Sequence, residues 1–123
     1  MCYSEREKVD KIFFKLIQQN IEKNGIESMF TLGQTPTTVL FGIWKKMDSE
    51  NYAVKVNDYI NNEKFDVVHF VSKMIYNSND KYYKIFCELF DADIIFDKLK
   101  EVVPNDIPDY HHTIGYFMRM HRK

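Results

Sequence analysis

Residues 50–61 read ENYAVKVNDYIN, and the fold class turns on them. Tyr52, Val56, Tyr59 and Ile60 recur at helical spacing, while Tyr52, Val54 and Val56 alternate as a half-buried strand would. Helix is the expectation, because the segments on both sides carry helical periodicity.

Upstream, Ser4 with Glu7 has the form of a capping box, and Val9, Ile12, Phe13, Leu16 and Ile17 recur as an inward face up to Gly25, a natural residue to follow a helix. A short helical piece over 26–32 precedes Gly33. Thr35-Pro36 then supplies a cap and a proline at the first helical position, predicting a helix to about Met47. Asp48 or Ser49 restarts the chain.

Downstream, EKFDVVHFVSKMIY (63–76) places apolar residues at 67, 68, 70, 71, 74 and 75, an arc broad enough for a central helix. Asn79 or Asp80 starts the next, with Tyr82, Ile85, Phe86, Leu89 and Phe90 inward. Asp91 caps a further helix whose inner side carries Ile95, Phe96, Leu99 and Val102 and which must stop before Pro104. Asp109 caps a last helix with Tyr110, Ile114, Phe117 and His121 on one side. The expectation for 1–123 is an all-α fold, a compact single-domain bundle of about six or seven helices.

The chain has 123 residues, 45% of them apolar and 28% charged, with few Gly and Pro, which is the make-up of an ordinary globule. Lysine outnumbers arginine, alanine is scarce, and Asn, Ile, Phe and Tyr are abundant, a bias that AT-rich codons produce. A phage, virus or mobile element would fit it. The N-terminus, MCYSEREKVD, has no apolar signal region and the longest apolar run, VLFGIW, is too short to span a bilayer. A cytoplasmic protein with no membrane partner is expected. Cys2 and Cys87 lack a CxxC partner, and two thiols in such a setting stay reduced.

Net charge is −1 but unevenly spread: residues 1–46 carry seven basic and five acidic groups, residues 47–110 seven and thirteen, and residues 111–123 three basic groups. A general affinity for nucleic acid needs a basic surface, and the middle of this chain is acidic. A basic partner would be drawn to it.

Residues 32–44, LGQTPTTVLFGIW, resemble the turn and second helix of a helix-turn-helix unit. Under that alternative the chain is a DNA-binding regulator using residues 26–47, with Thr35, Thr37, Thr38 and Lys45 toward the duplex. At about 100° per residue, Val39, Leu40, Ile43, Trp44 and Met47 share one face and leave Thr38, Phe41, Gly42 and Lys45 outside, nearly without the Arg, Lys, Asn or Gln that a recognition helix carries. Ser28 and Met29 are also out of phase with the motif's first helix. A core helix is the expectation.

Two D-x-x-H pairs, Asp66 with His69 and Asp109 with His112, have the spacing used by di-iron bundles, but both lie opposite the apolar arcs of their helices. Surface hydrogen bonding or dipole pairing is the better account. Cys87, between Phe86 and Phe90 in IFCELF, reads as a small hydrophobe. With no phosphate-cradling glycine loop, nucleophile elbow or carboxylate cluster, no catalytic residue, metal ligand or cofactor is assigned.

The expected function is therefore non-enzymatic protein binding, as an inhibitor, adaptor or accessory factor. Aromatics at the borders of apolar arcs, such as Tyr76, Tyr83 and Tyr116, are candidate contacts, as is Phe41. The leading face is on the helix after Asp91, where Asp93, Asp97 and Glu101 recur every four residues and Ile94 projects among them, away from the apolar arc.

Overall fold

The structure, a computed structural model, describes residues 2–33, 35–75, 78–103 and 112–122, with side chains from Glu5 onward. Among these residues the chain forms seven α-helices and one short 3-10 helix, with no strand. The all-α expectation holds, and the helix count slightly exceeds it. Residues 50–61 are helical: α3 spans Ser49–Ile60 and buries Tyr52, Val56 and Ile60, while Val54, the residue that favoured a strand, is exposed. Contacts cluster into two compact units, Met1–Glu63 and Lys64–Lys123.

In the first unit, α1 (Cys2–Asn24) ends at Gly25, whose φ of 80° and N–H to the Ile21 carbonyl close the helix in the left-handed geometry that glycine adopts freely. The 3-10 helix (Ile26–Thr31) follows, then α2 (Thr37–Met47) and α3. α1 starts at Cys2, ahead of the Ser4 position at which the sequence placed its start. Thr35 does not cap α2: Pro36 occupies the cap position, and its carbonyl accepts from the Val39 and Leu40 N–H groups.

The core of this unit is aromatic. Trp44 and Tyr52 meet edge to face with centroids 4.9 Å apart, and Phe41 packs on both. Phe41 is completely buried, and Thr37 and Thr38 are buried with it, whereas Val39 is 48% exposed. This corrects the single-faced wheel expected for α2. The helix packs against α1, α3 and the 3-10 helix at once, so it buries most of its circumference and turns out a small β-branched residue instead of its aromatic.

The phase of α1 is corrected as well. Ile17 and Ile21 are buried, but Val9, Ile12 and Leu16 are 47%, 69% and 41% exposed, and Asp10 is buried in their place. The Asp10 carboxylate tolerates that position because Lys46 Nζ of α2 lies 3.0 Å from it.

In the second unit, α4 (Val67–Met74), α5 (Asp80–Leu89), α6 (Ala92–Val102) and α7 (His112–Arg122) enclose Phe70, Val71, Phe86, Ile95, Leu99, Ile114 and Phe117. α4, α5 and α6 start on side-chain caps: Asp66 accepts from the His69 N–H, Asn79 from that of Tyr82, and Asp91 from those of Asp93 and Ile94, the Asn79 and Asp91 caps falling at helix starts expected from the sequence. Val102 is 58% exposed, contrary to the inward position expected of it. It lies in the last turn of α6, and Val103, one residue on, is buried instead. Tyr76, Pro104, Asp109, Tyr110 and His111 lie outside the described residues. No helix among the described residues is long and apolar enough to cross a membrane.

Candidate functional site

A polar cluster in the second unit joins three helices. Tyr83 of α5 places its hydroxyl 2.9 Å from His121 Nδ1, and His121 Nε2 of α7 lies 2.7 Å from Asp93 Oδ1 of α6. With a neutral imidazole, the Tyr83 hydroxyl donates to Nδ1 and the Nε2–H donates to the carboxylate. The ring is further held by aromatic neighbours. Phe117 stacks parallel to it at 5.8 Å and Phe96 lies 4.8 Å away.

Exposure is graded across this cluster, from 15% for the His121 side chain to 87% for Asp93. Tyr83 is pushed up to about 12, first by burial, then by its hydrogen bond to Cys87 and by the Cys87 and Asp93 charges. Its proton therefore stays on the hydroxyl at neutral pH, available to His121. Both imidazole nitrogens are engaged by protein groups, so the ring acts as a strut between helices and offers no lone pair to a substrate.

Cys87, one helical turn from Tyr83, is exposed, which corrects its expected place among the buried hydrophobes. Phe86 and Leu89 take the inward positions of α5 and turn the thiol outward. The Tyr83–Cys87 contact joins residues four apart, a spacing that places them on one face of a helix.

On α6 the acidic residues lie as expected. Asp93, Asp97 and Glu101 are exposed, Ile94 is 38% exposed beside them, and Val102 adds a second exposed apolar side chain. Asp97 forms an ion pair with Lys100 at 3.3 Å, both largely solvated. Such a pair contributes little to stability and leaves the carboxylate open to a competing cation. The capping bonds of Asp91 hold the first turn in register, including the Asp93 N–H.

The remaining expected contacts fare differently. Phe41, completely buried, is absent from the surface. Tyr116, half-buried, donates its hydroxyl to Asp80 of α5. Of the residues toward DNA in the alternative reading, Thr37 and Thr38 are buried, Thr35 is half-buried and Lys45 is exposed, so the two central hydroxyls do not reach a groove. In the D-x-x-H pair at 66–69, the carboxylate bonds the histidine's backbone, which explains the spacing by helix capping. Among the described residues no three His, Cys, Asp or Glu side chains are grouped to hold a metal ion.

In the first unit, a recess over Ile21 and Trp44 is edged by Gln18, Glu22, Asn51 and Lys55. Comparison with protein families, with curated proteins and with solved structures gives no match, so the site is read from its own geometry.

Proposed function

We propose that the chain is a non-enzymatic binding protein, of the inhibitor, adaptor or accessory-factor kind, that meets a protein partner through the outer face of α6. The observation that carries this reading is Ile94, left exposed on the same face as Asp97 and Glu101. Carboxylates steer a basic surface toward the helix, and the isoleucine supplies apolar contact once it arrives. The engagement of both His121 nitrogens adds support, because the histidine nearest this face is committed to holding α5, α6 and α7 together.

The test is affinity capture from the source cells with the unaltered chain, with Ile94→Glu and with Asp97→Lys/Glu101→Lys. Asp93 is left in place because it bonds His121. Loss of captured protein from both variants, with circular dichroism unchanged, supports the reading. Undiminished capture by both overturns it.

A further inference from the structure

Tyr83 stands between two groups that compete for one hydrogen. Its hydroxyl lies 2.9 Å from His121 Nδ1 of α7 and is also hydrogen-bonded to Cys87, one turn on in α5. A phenol has a single O–H, so it donates to one neighbour at a time and accepts from the other. The imidazole decides which. Its far side is already committed, because Nε2 lies 2.7 Å from Asp93 Oδ1 and a carboxylate only accepts. Nε2 therefore keeps its hydrogen in both charge states of the ring, and the proton gained or lost is the one on Nδ1.

With His121 neutral, Nδ1 accepts from Tyr83, and the Tyr83 oxygen is left to accept from the Cys87 thiol. That order of donors favours S–H. With His121 charged, the Nδ1–H donates to the Tyr83 oxygen, the hydroxyl turns, and its proton is donated to the Cys87 sulfur. A hydrogen bond donated to the sulfur favours the thiolate. The two bonds on either side of the Tyr83 oxygen thus reverse together, and rotation of one hydroxyl is enough. Tyr83 itself, pushed up to about 12, keeps its proton throughout and passes on orientation instead of charge.

The other charges around the cluster are the same for both orientations. From α6, Lys100 lies 4.8 Å from the centroid of Phe96, the ring beside His121, and is paired with Asp97. From α7 itself, Arg122 lies 6.0 Å from the same centroid. The α4 helix turns Phe70, Val71 and Met74 inward and leaves His69 and Lys73 exposed. Beside Cys87 on α5, Lys84 and Glu88 are exposed.

We infer that the Tyr83 hydroxyl couples His121 to Cys87, so that protonation of the imidazole promotes the thiolate of an exposed cysteine. The His121 side chain is 15% exposed, which admits solvent protons, and the thiol at the other end of the relay faces solvent. Acidification therefore lowers the reactivity of this thiol less steeply than its own ionisation would.

Alkylation by iodoacetamide, in which the thiolate displaces iodide, tests the relay in a chain carrying Cys2→Ser, where Cys87 is the only thiol. Rates are measured in small steps over about pH 5 to 8, with the His121 ring protons followed in parallel by magnetic resonance. Below its own titration an isolated thiol reacts about tenfold faster per pH unit, in proportion to its thiolate. With the relay intact, the acid side is expected to lie at least about fivefold above the line extended from the alkaline side. The step should fall where the His121 resonances titrate.

Tyr83→Phe keeps the ring that packs on Phe117 and removes only the hydroxyl, and His121→Gln removes the titrating group. Each is expected to give a straight line, with circular dichroism unchanged. A step that persists undiminished in Tyr83→Phe would carry the coupling through space and overturn the relay, as would a straight line for the chain with both residues in place. If His121→Gln loses helicity, Tyr83→Phe decides alone. The measurement needs no partner, so it succeeds or fails apart from the reading of α6.

Discussion

His121 Nε2 lies 2.7 Å from Asp93 Oδ1, so the last helix is tied to the first turn of the helix that carries the proposed contact face. The ring is nearly covered while the carboxylate is almost fully solvated, and the two partners therefore contribute unequally. His121→Ala removes the stacking on Phe117, the contact with Phe96 and the Tyr83 bond, and is expected to cost about 1–2 kcal/mol in urea unfolding. Asp93→Asn loses only an exposed contact and is expected to cost less than about 1 kcal/mol. Equal losses for the two would assign the stability to the carboxylate instead of the ring.

Tyr83 gives the second unit a dependence on alkaline pH. Its hydroxyl is raised from 10.0 to about 12 in the folded chain, so folding favours the protonated form. That contribution is fully present below pH 10 and is lost as pH rises through about 12. Urea midpoints of the unaltered chain and of Tyr83→Phe, measured at steps over this window, are expected to converge as pH rises. A constant separation between them would remove Tyr83 as the cause. Tyr52, raised by burial alone, acts in the same direction in the first unit.

What could be read from the sequence follows the range of each interaction. The caps Asn79 and Asp91 were legible because each bonds a backbone N–H two or three residues on, whereas Asp66, which bonds the same way, was read only as half of a D-x-x-H pair. Gly25 was legible for the same reason. The phases of α1 and α2 were not, because both helices carry apolar residues around more than half of their circumference, and packing decides which row is covered. Asp10 inside α1 depends on Lys46, 36 residues away. Within the candidate site, the acidic row and Ile94 were visible as a local periodicity. The link from Asp93 through His121 to Tyr83 joins three helices and has no local signature.

The aromatic cluster of the first unit is expected to carry much of its stability. Trp44→Ala and Phe41→Ala each empty a site that is at most 1% exposed and should cost about 3–5 kcal/mol, as large aromatic truncations in cores do. Val39→Ala, on the exposed side of the same helix, should cost less than about 1 kcal/mol. Thermal unfolding of the three variants orders the faces of α2. A Val39 variant as damaged as the Phe41 variant would return α2 to the phase expected from its sequence.

The Lys46–Asp10 pair ties α2 to α1 and is asymmetric, with the lysine side chain 62% exposed and the aspartate side chain 11%. Lys46→Ala leaves a nearly covered carboxylate without its cation and is expected to cost about 1–3 kcal/mol. Asp10→Asn keeps the shape and removes the charge, so it should cost less. In the double variant, Asp10→Asn should offset much of the loss from Lys46→Ala, which a double-mutant cycle in urea would measure. Additive losses would mean that the two groups do not interact.

The two rows of α1 differ sharply in exposure. Ile12 is 69% exposed and Ile17, five residues on, is completely buried. Transfer of a charge to each position separates their roles. Ile17→Asp sets an unpaired carboxylate in the core and should unfold the first unit, whereas Ile12→Asp removes an isoleucine already in water and should shift the unfolding midpoint little. Far-ultraviolet circular dichroism against temperature reads both. If Ile12→Asp unfolds the chain while Ile17→Asp is tolerated, α1 packs through its other row.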